Sequence, residues 1–176
     1  MRVYITDLEA YNNGRLVGSW YELPMNKDEL TQAIQNELQK GQQVCEHAHT
    51  HEEYFISDFE YDYMKIDEYD SLDELNEIAQ KIEKLDESEK MAVKMMVENH
   101  IVNSIDEAIE NLENMICTGE NSMEDIAYNY IEESGLLQRM PENLQGYFDY
   151  EALGRDMEIE GNYFRDENNI LWEYVG

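Results

Sequence analysis

The sequence predicts an α+β protein built as an elongated row of three small domains. Strand-like segments near both ends flank a central stretch in which apolar residues keep helical spacing. A net charge of −29 over 176 residues favours spreading the chain through self-repulsion. The 13 Tyr, the 42% hydrophobic content and only 2 Pro predict a folded chain, despite the acidity. We expect domains at 1–67, 68–113 and 114–176.

The first domain, 1–67, is predicted to combine a sheet with one helix. Val3–Ile5 and Leu16–Leu23 are typical of strands. Asn26 with Glu29 three residues later is a capping-box pattern that starts a helix, and Gly41 is expected to end it.

A third strand is predicted at Tyr54–Tyr63, because apolar and acidic residues alternate there. One face is expected to carry Phe55, Phe59, Tyr61 and Tyr63. The other face is expected to carry Asp58, Glu60 and Asp62.

The central domain, 68–113, is predicted to be a bundle of three short helices. Ser71 with Glu74 and Ser104 with Glu107 are further capping boxes. Apolar residues at helical spacing follow each start, and a third stripe begins at Met91.

The C-terminal domain, 114–176, is predicted to hold helices and a β-hairpin. One helix lies between Ser122 and Gly135, and Pro141 starts a shorter one. Met157–Phe164 and Ile170–Val175 are expected to form the hairpin around a turn at 168–169.

The charge balance excludes some classes of partner. With 41 Asp and Glu against 12 Lys and Arg, the surface repels nucleic acid and anionic membrane and attracts basic protein surfaces.

The segment His51–Phe55 begins like a zinc-protease helix but has Phe55 where the second histidine is required. We therefore expect no enzyme, no catalytic residue, no cofactor and no membrane segment, and we expect a cytoplasmic protein.

One cluster leaves metal binding open as an alternative. If residues 45–51 are extended, Cys45, His47, His49 and His51 share a face on which zinc or nickel could bind. Because the spacing fits no established structural zinc pattern, we expect no metal site there.

The acidic residues are arranged as a substitute for DNA phosphates would need. Side chains on one face of a strand lie about 6.6–6.8 Å apart, and two nucleotides of one DNA strand rise about 6.8 Å. Since duplex DNA carries one charge per roughly 1.7 Å, 29 charges correspond to about 50 Å of duplex. The carboxylates expected to imitate phosphates are Asp58, Glu60, Asp62, Glu68, Asp70, Asp73, Glu74, Glu77, Glu83, Asp86, Asp106, Glu107, Glu110, Glu113, Glu124, Asp125, Glu132 and Glu133.

Five segments resemble the ArdA family of antirestriction proteins carried by conjugative plasmids and transposons. They are Val3–Ile5, Tyr11–Trp20, Asp67–Asn76, Tyr128–Gly135 and Asp149–Asp156, in that order along the chain. The resemblance implies an elongated three-domain dimer that mimics bent duplex DNA and occupies the DNA site of type I restriction–modification enzymes, on their specificity and methyltransferase subunits. It also implies that 114–176 is the dimerisation region, while 35–53 is extra length relative to the family.

The function we expect is therefore antirestriction by DNA mimicry, without direct binding of nucleic acid. The alternatives are an acidic chaperone, an inhibitor of another basic DNA-binding protein, and a metal-binding protein that uses the cluster at 45–51. A homodimer is expected, with an interface at Tyr147, Phe148, Tyr150 and Trp172.

Overall fold

The computed structural model describes residues 1–45 and 50–176, and it confirms the α+β class. The chain divides into two compact units, Met1–Asp86 and Glu87–Gly176. The division into three domains stays a prediction, and its first boundary, at residue 67, falls inside the N-terminal unit.

The N-terminal unit is a three-stranded antiparallel sheet in the order β2-β1-β3, with helices packed against it. Its strands are β1 (Arg2–Asp7), β2 (Gly18–Glu22) and β3 (Tyr54–Glu60). Its helices are α1 (Leu8–Asn12), α2 (Lys27–Cys45) and α3 (Leu72–Glu83). The predicted strands and the start of α2 are confirmed, with strand ends that differ by a few residues.

The core of this unit joins the sheet to α2 and α3. Val3 and Ile5 of β1 pack with Leu30 of α2 and with Leu72 and Leu75 of α3. The apolar stripe predicted for a central bundle therefore covers the N-terminal sheet. The sequence could not reveal this, because an amphipathic stripe predicts that a helix is buried and not what it packs against.

Gly41 does not end α2, contrary to the prediction. The helix runs four residues further, to Cys45, and Gly41 is buried within it. A Cβ atom at Gly41 would overlap the carboxylate of Asp7, the last residue of β1. The glycine therefore allows close packing against Asp7.

The predicted single apolar face of β3 is also wrong. The pairing register between β1 and β3 shifts between Tyr4 and Ile5, so one extra residue, Ser57, lies in β3. A bulge of this kind reverses the side-chain alternation. As a result Phe59 packs on the core, whereas Phe55 lies on the opposite face.

The C-terminal unit contains five helices, two 3-10 turns and a second antiparallel sheet in the order β4-β6-β5. The helices are α4 (Glu87–Glu98), α5 (Ile105–Glu110), α6 (Met123–Ser134), α7 (Glu142–Gln145) and α8 (Tyr150–Glu160). The strands are β4 (Met115–Cys117), β5 (Tyr163–Arg165) and β6 (Leu171–Tyr174), and the 3-10 turns are Leu112–Asn114 and Leu137–Arg139. The predicted starts of α5 at Ser104 and α6 at Ser122 are confirmed, as is the end of α6 at Gly135.

The predicted hairpin is shorter than expected, because residues 157–160 belong to helix α8. The N-cap of α8 is Asp149, whose Oδ1 accepts from the backbone N–H of Ala152 at 2.9 Å. Gly154 brings α8 against α6, since a Cβ there would lie 2.5 Å from the carbonyl oxygen of Met123. The long-range contact with α6 thus favours helix where the local pattern suggested strand.

Candidate protein-binding surface

The carboxylates lie mainly on the outside of both units. Of the 40 Asp and Glu that the structure describes, 31 are exposed. The N-terminal unit carries 20 acids against 7 Lys and Arg, a net charge of −13. The C-terminal unit carries 21 against 5, a net charge of −16. Each unit is therefore strongly anionic by itself.

Sixteen of the eighteen carboxylates predicted to imitate phosphates are exposed, and Asp70 and Glu107 are half-buried. Both exceptions also accept local hydrogen bonds. Oδ2 of Asp70 accepts from the backbone N–H of Asp67 at 2.8 Å. Oε2 of Glu107 accepts from the backbone N–H of Asn103 at 2.8 Å.

We call the first group of these residues the N-terminal acidic surface: Asp58, Glu60, Asp62, Glu68, Asp70, Asp73, Glu74, Glu77, Glu83 and Asp86. It follows the β3 edge of the sheet. Asp58 and Glu60 lie opposite Tyr4 and Arg2, on the sheet face that is turned away from the core. Asp62 lies beyond the end of β3, so it does not extend the strand row as predicted.

The segment between β3 and α3 runs beside this edge. The backbone N–H of Ile56 donates to the carbonyl of Glu68 at 2.8 Å, and the side chain of Glu68 is exposed. The acidic surface therefore passes from the outer sheet face around the edge to α3.

The buried side-chain amide of Asn76 connects helix α3 to the backbone of Met25, just before α2. Asn76 accepts from the backbone N–H of Met25 at 2.8 Å and donates to the carbonyl of Met25 at 2.9 Å. Because the buried stripe of α3 faces the core, Asp73 and Glu77 point outward one turn apart. Burial, together with the charge of Asp73 at the start of α3, raises the pKa of Tyr54 in β3.

Arg2 neutralises part of this surface. Its Nη1 atom donates to Oε2 of Glu60 at 2.5 Å, and its Nε lies 3.7 Å from Oε1 of Glu22. Its guanidinium also lies over the ring of Trp20, 4.9 Å from the centroid. Glu60 is thus already partnered inside the chain.

The second group forms what we call the C-terminal acidic surface: Asp106, Glu107, Glu110, Glu113, Glu124, Asp125, Glu132 and Glu133. These residues lie on α5, the adjoining 3-10 turn and α6. Sequence reasoning missed the exposed carboxylates of α8, because no helix was predicted over 150–160 and residues 157–160 were assigned to a strand. They are Glu151, Asp156, Glu158 and Glu160.

A few carboxylates point inward and stabilise the fold. Asp7 and His51 are fully buried side chains, with Oδ2 of Asp7 2.8 Å from Nδ1 of His51. Glu37 is buried and receives hydrogen bonds from the hydroxyl of Tyr21 at 2.5 Å and from Nζ of Lys40 at 2.7 Å. Burial acts to raise the pKa of Glu37, but the hydrogen bonds from Lys40 and Tyr21 outweigh it and hold that pKa below its ordinary value.

Cys45 and His51, the two residues of the possible metal cluster that the structure describes, do not lie on a common strand. Cys45 is the last residue of α2, and His51 is paired with Asp7. His47 and His49 lie outside the described residues. Within 1–45 and 50–176, no group of three or more His, Cys, Asp or Glu could hold a metal ion.

The residues predicted for a dimer interface differ widely in exposure. Tyr147 is 85% exposed, and the rings of Phe148 and Tyr150 contact each other with centroids 4.9 Å apart. Tyr150 also contacts the exposed Tyr128, at 5.3 Å. Trp172 is only 4% exposed, and its Nε1–H donates to Asp166.

In the part of the chain that the structure describes, none of the helices has the length and apolar character needed to cross a membrane.

A family model described as antirestriction protein (ArdA) matches residues 3–170. A comparison with curated proteins gave no match. The family match spans both compact units, so it covers both acidic surfaces.

Proposed function

The chain belongs to the ArdA family of antirestriction proteins, and on this premise we propose that it inhibits type I restriction–modification enzymes by occupying their DNA site. In this proposal the protein is a non-catalytic mimic of duplex DNA. Its partners are the specificity and methyltransferase subunits, which form the basic groove for DNA.

The observation that carries this proposal is the outward display of the carboxylates. With 31 of 40 described acids exposed, and with net charges of −13 and −16 on the two units, each unit offers a dense anionic surface. Lys and Arg that bind DNA are surrounded by anions in the free enzyme. When the carboxylates of the mimic bind to these Lys and Arg side chains, the anions are released, just as cations are released from DNA when it binds a protein. This release favours association at low salt.

We further propose that the protein acts as a homodimer formed through 114–176. The exposed Tyr147, next to Phe148 and Tyr150, supports an aromatic contact between copies, since such residues are enriched at interfaces. A dimer would double the anionic length available to the enzyme. The measurement is sedimentation of the wild type and of Tyr147→Ser at several concentrations.

The central experiment titrates purified protein into a type I enzyme and measures both DNA cleavage and DNA methylation. Because one DNA site serves both activities, we expect both to fall together and DNA binding by the enzyme to be lost. The control is an equal concentration of a heat-denatured sample. Inhibition of cleavage with normal DNA binding, or covalent change of the enzyme or the DNA, would contradict the proposal.

A further inference from the structure

The C-terminal unit contains an open cavity of about 400 Å³ between the start of α4 and the second sheet. Its floor is largely apolar, with Ala92 from α4, Met115 and Cys117 from β4, and Trp172 from β6. Cys117 pairs directly with Trp172 across the sheet. The rest of the lining is formed by Ser88, Glu89, Leu112 and Glu113.

The mouth of this cavity is acidic. Glu113 is exposed and Glu89 is half-buried. The first turn of α4 contributes roughly half a positive charge through its backbone. The charge of the Glu113 carboxylate alone exceeds that half charge, and the whole unit carries −16. The cavity therefore suits a side chain that has an apolar stem and a cationic head.

We propose that this cavity receives one arginine side chain of the restriction enzyme, an inference that rests on the proposed function. Arginine fits better than lysine, because its guanidinium is planar, weakly hydrated and able to bind a carboxylate with two hydrogen bonds. Its methylene groups lie against Met115 and Trp172, and its head pairs with Glu113. This contact differs from the exposed ion pairs elsewhere because the methylene groups also bury apolar surface of the cavity.

A variant that keeps the net charge can distinguish the cavity contact from general charge mimicry. Cys117→Phe places an aromatic ring in the cavity without altering any carboxylate. The matched control is Ile116→Phe, since Ile116 is the neighbouring residue of β4, is 45% exposed and does not line the cavity. We expect Cys117→Phe to raise the concentration for half-inhibition on the order of tenfold, as the loss of one arginine anchor at an interface does. Ile116→Phe should stay within about twofold of the wild type, as for most surface substitutions.

A second measurement locates the contact directly and does not require a mutated cavity. In Cys45→Ser, Cys117 is the one remaining thiol, since the chain has 2 Cys. Alkylation of Cys117 by iodoacetamide, followed by mass spectrometry of its peptide, should slow several-fold when the enzyme is present in excess. The same slowing should be absent with an equal concentration of a basic protein that does not bind DNA.

The outcomes distinguish the two proposals. If the wild type does not inhibit, the proposed function is wrong and the arginine contact falls with it. If the wild type inhibits and folded Cys117→Phe inhibits equally well, the cavity proposal alone is wrong. Equal losses in both phenylalanine variants, or unchanged alkylation under saturating enzyme, would also overturn it.

Discussion

Neutralising single carboxylates of the N-terminal acidic surface should weaken inhibition only in small steps. The changes are Asp58→Asn, Glu74→Gln and Glu77→Gln, all at exposed positions. An exposed ion pair contributes about 0.2–1 kcal/mol. Each change should therefore raise the concentration for half-inhibition by about 1.4- to 5-fold, since 1.4 kcal/mol corresponds to a factor of ten.

Combining five changes tests whether the steps add. Asp58, Glu60, Asp62, Glu74 and Glu77 together should cost about 1–5 kcal/mol, which is roughly fivefold to a few thousandfold. The lower part of this range is favoured, because Glu60 is already paired with Arg2. The fold should persist, since Asn and Gln keep an acceptor, such as the one that Asp58 offers to the N–H of Phe59.

The assay is titration of each variant against a fixed amount of type I enzyme at two NaCl concentrations, with circular dichroism to check folding. The loss of inhibition in the variant that combines all five changes should become smaller as salt rises, because exposed charges are screened. A single neutral amide that abolished inhibition in a folded protein would refute distributed mimicry. It would point instead to one indispensable contact.

Three further predictions follow from the charges and hydrogen bonds. Raising NaCl from low to moderate concentration should raise the melting temperature, because the net charge of −29 repels itself; a melting temperature that falls would contradict this. Arg2→Gln should strengthen inhibition up to a few-fold by freeing Glu60, whereas an unchanged titration curve would mean that Glu60 makes no contact. Burial, together with the hydrogen bond and charge of Glu173, raises the pKa of Tyr163 from 10.0 to about 12. The resulting stability is complete below pH 10 and is lost as pH rises toward 12. Tyr163→Phe should cost about 1–2 kcal/mol at neutral pH and should weaken the alkaline dependence in urea melts without removing it, because burial also raises the pKa values of Tyr21, Tyr54 and Tyr61. An alkaline dependence equal to that of the wild type would contradict this role of Tyr163.

Features that depend on a few neighbouring residues were predictable from sequence. The caps at Asn26, Ser71, Ser104 and Ser122 each place an oxygen three residues before a free backbone N–H, and all four hydrogen bonds are present. Most of the acidic positions were predictable for the same reason. Once the apolar stripe of a helix faces inward, the residues between its members must face water.

Tertiary structure decided what these elements pack against. Nothing local to Gly41 or Gly154 reveals that a neighbouring element lies within contact distance of a missing Cβ. Nothing in the sequence around Ser57 marks it as an extra residue of β3. It forms a bulge only because the pairing of β3 with β1 passes over it.

The cavity beside Cys117 illustrates the same division. Its acidic and apolar residues come from α4, the 3-10 turn, β4 and β6, which span residues 88 to 172. The amount of charge and its outward placement were determined by the sequence, because they depend on composition and local periodicity. The shape that the charge surrounds was decided by long-range packing, which brings distant segments together.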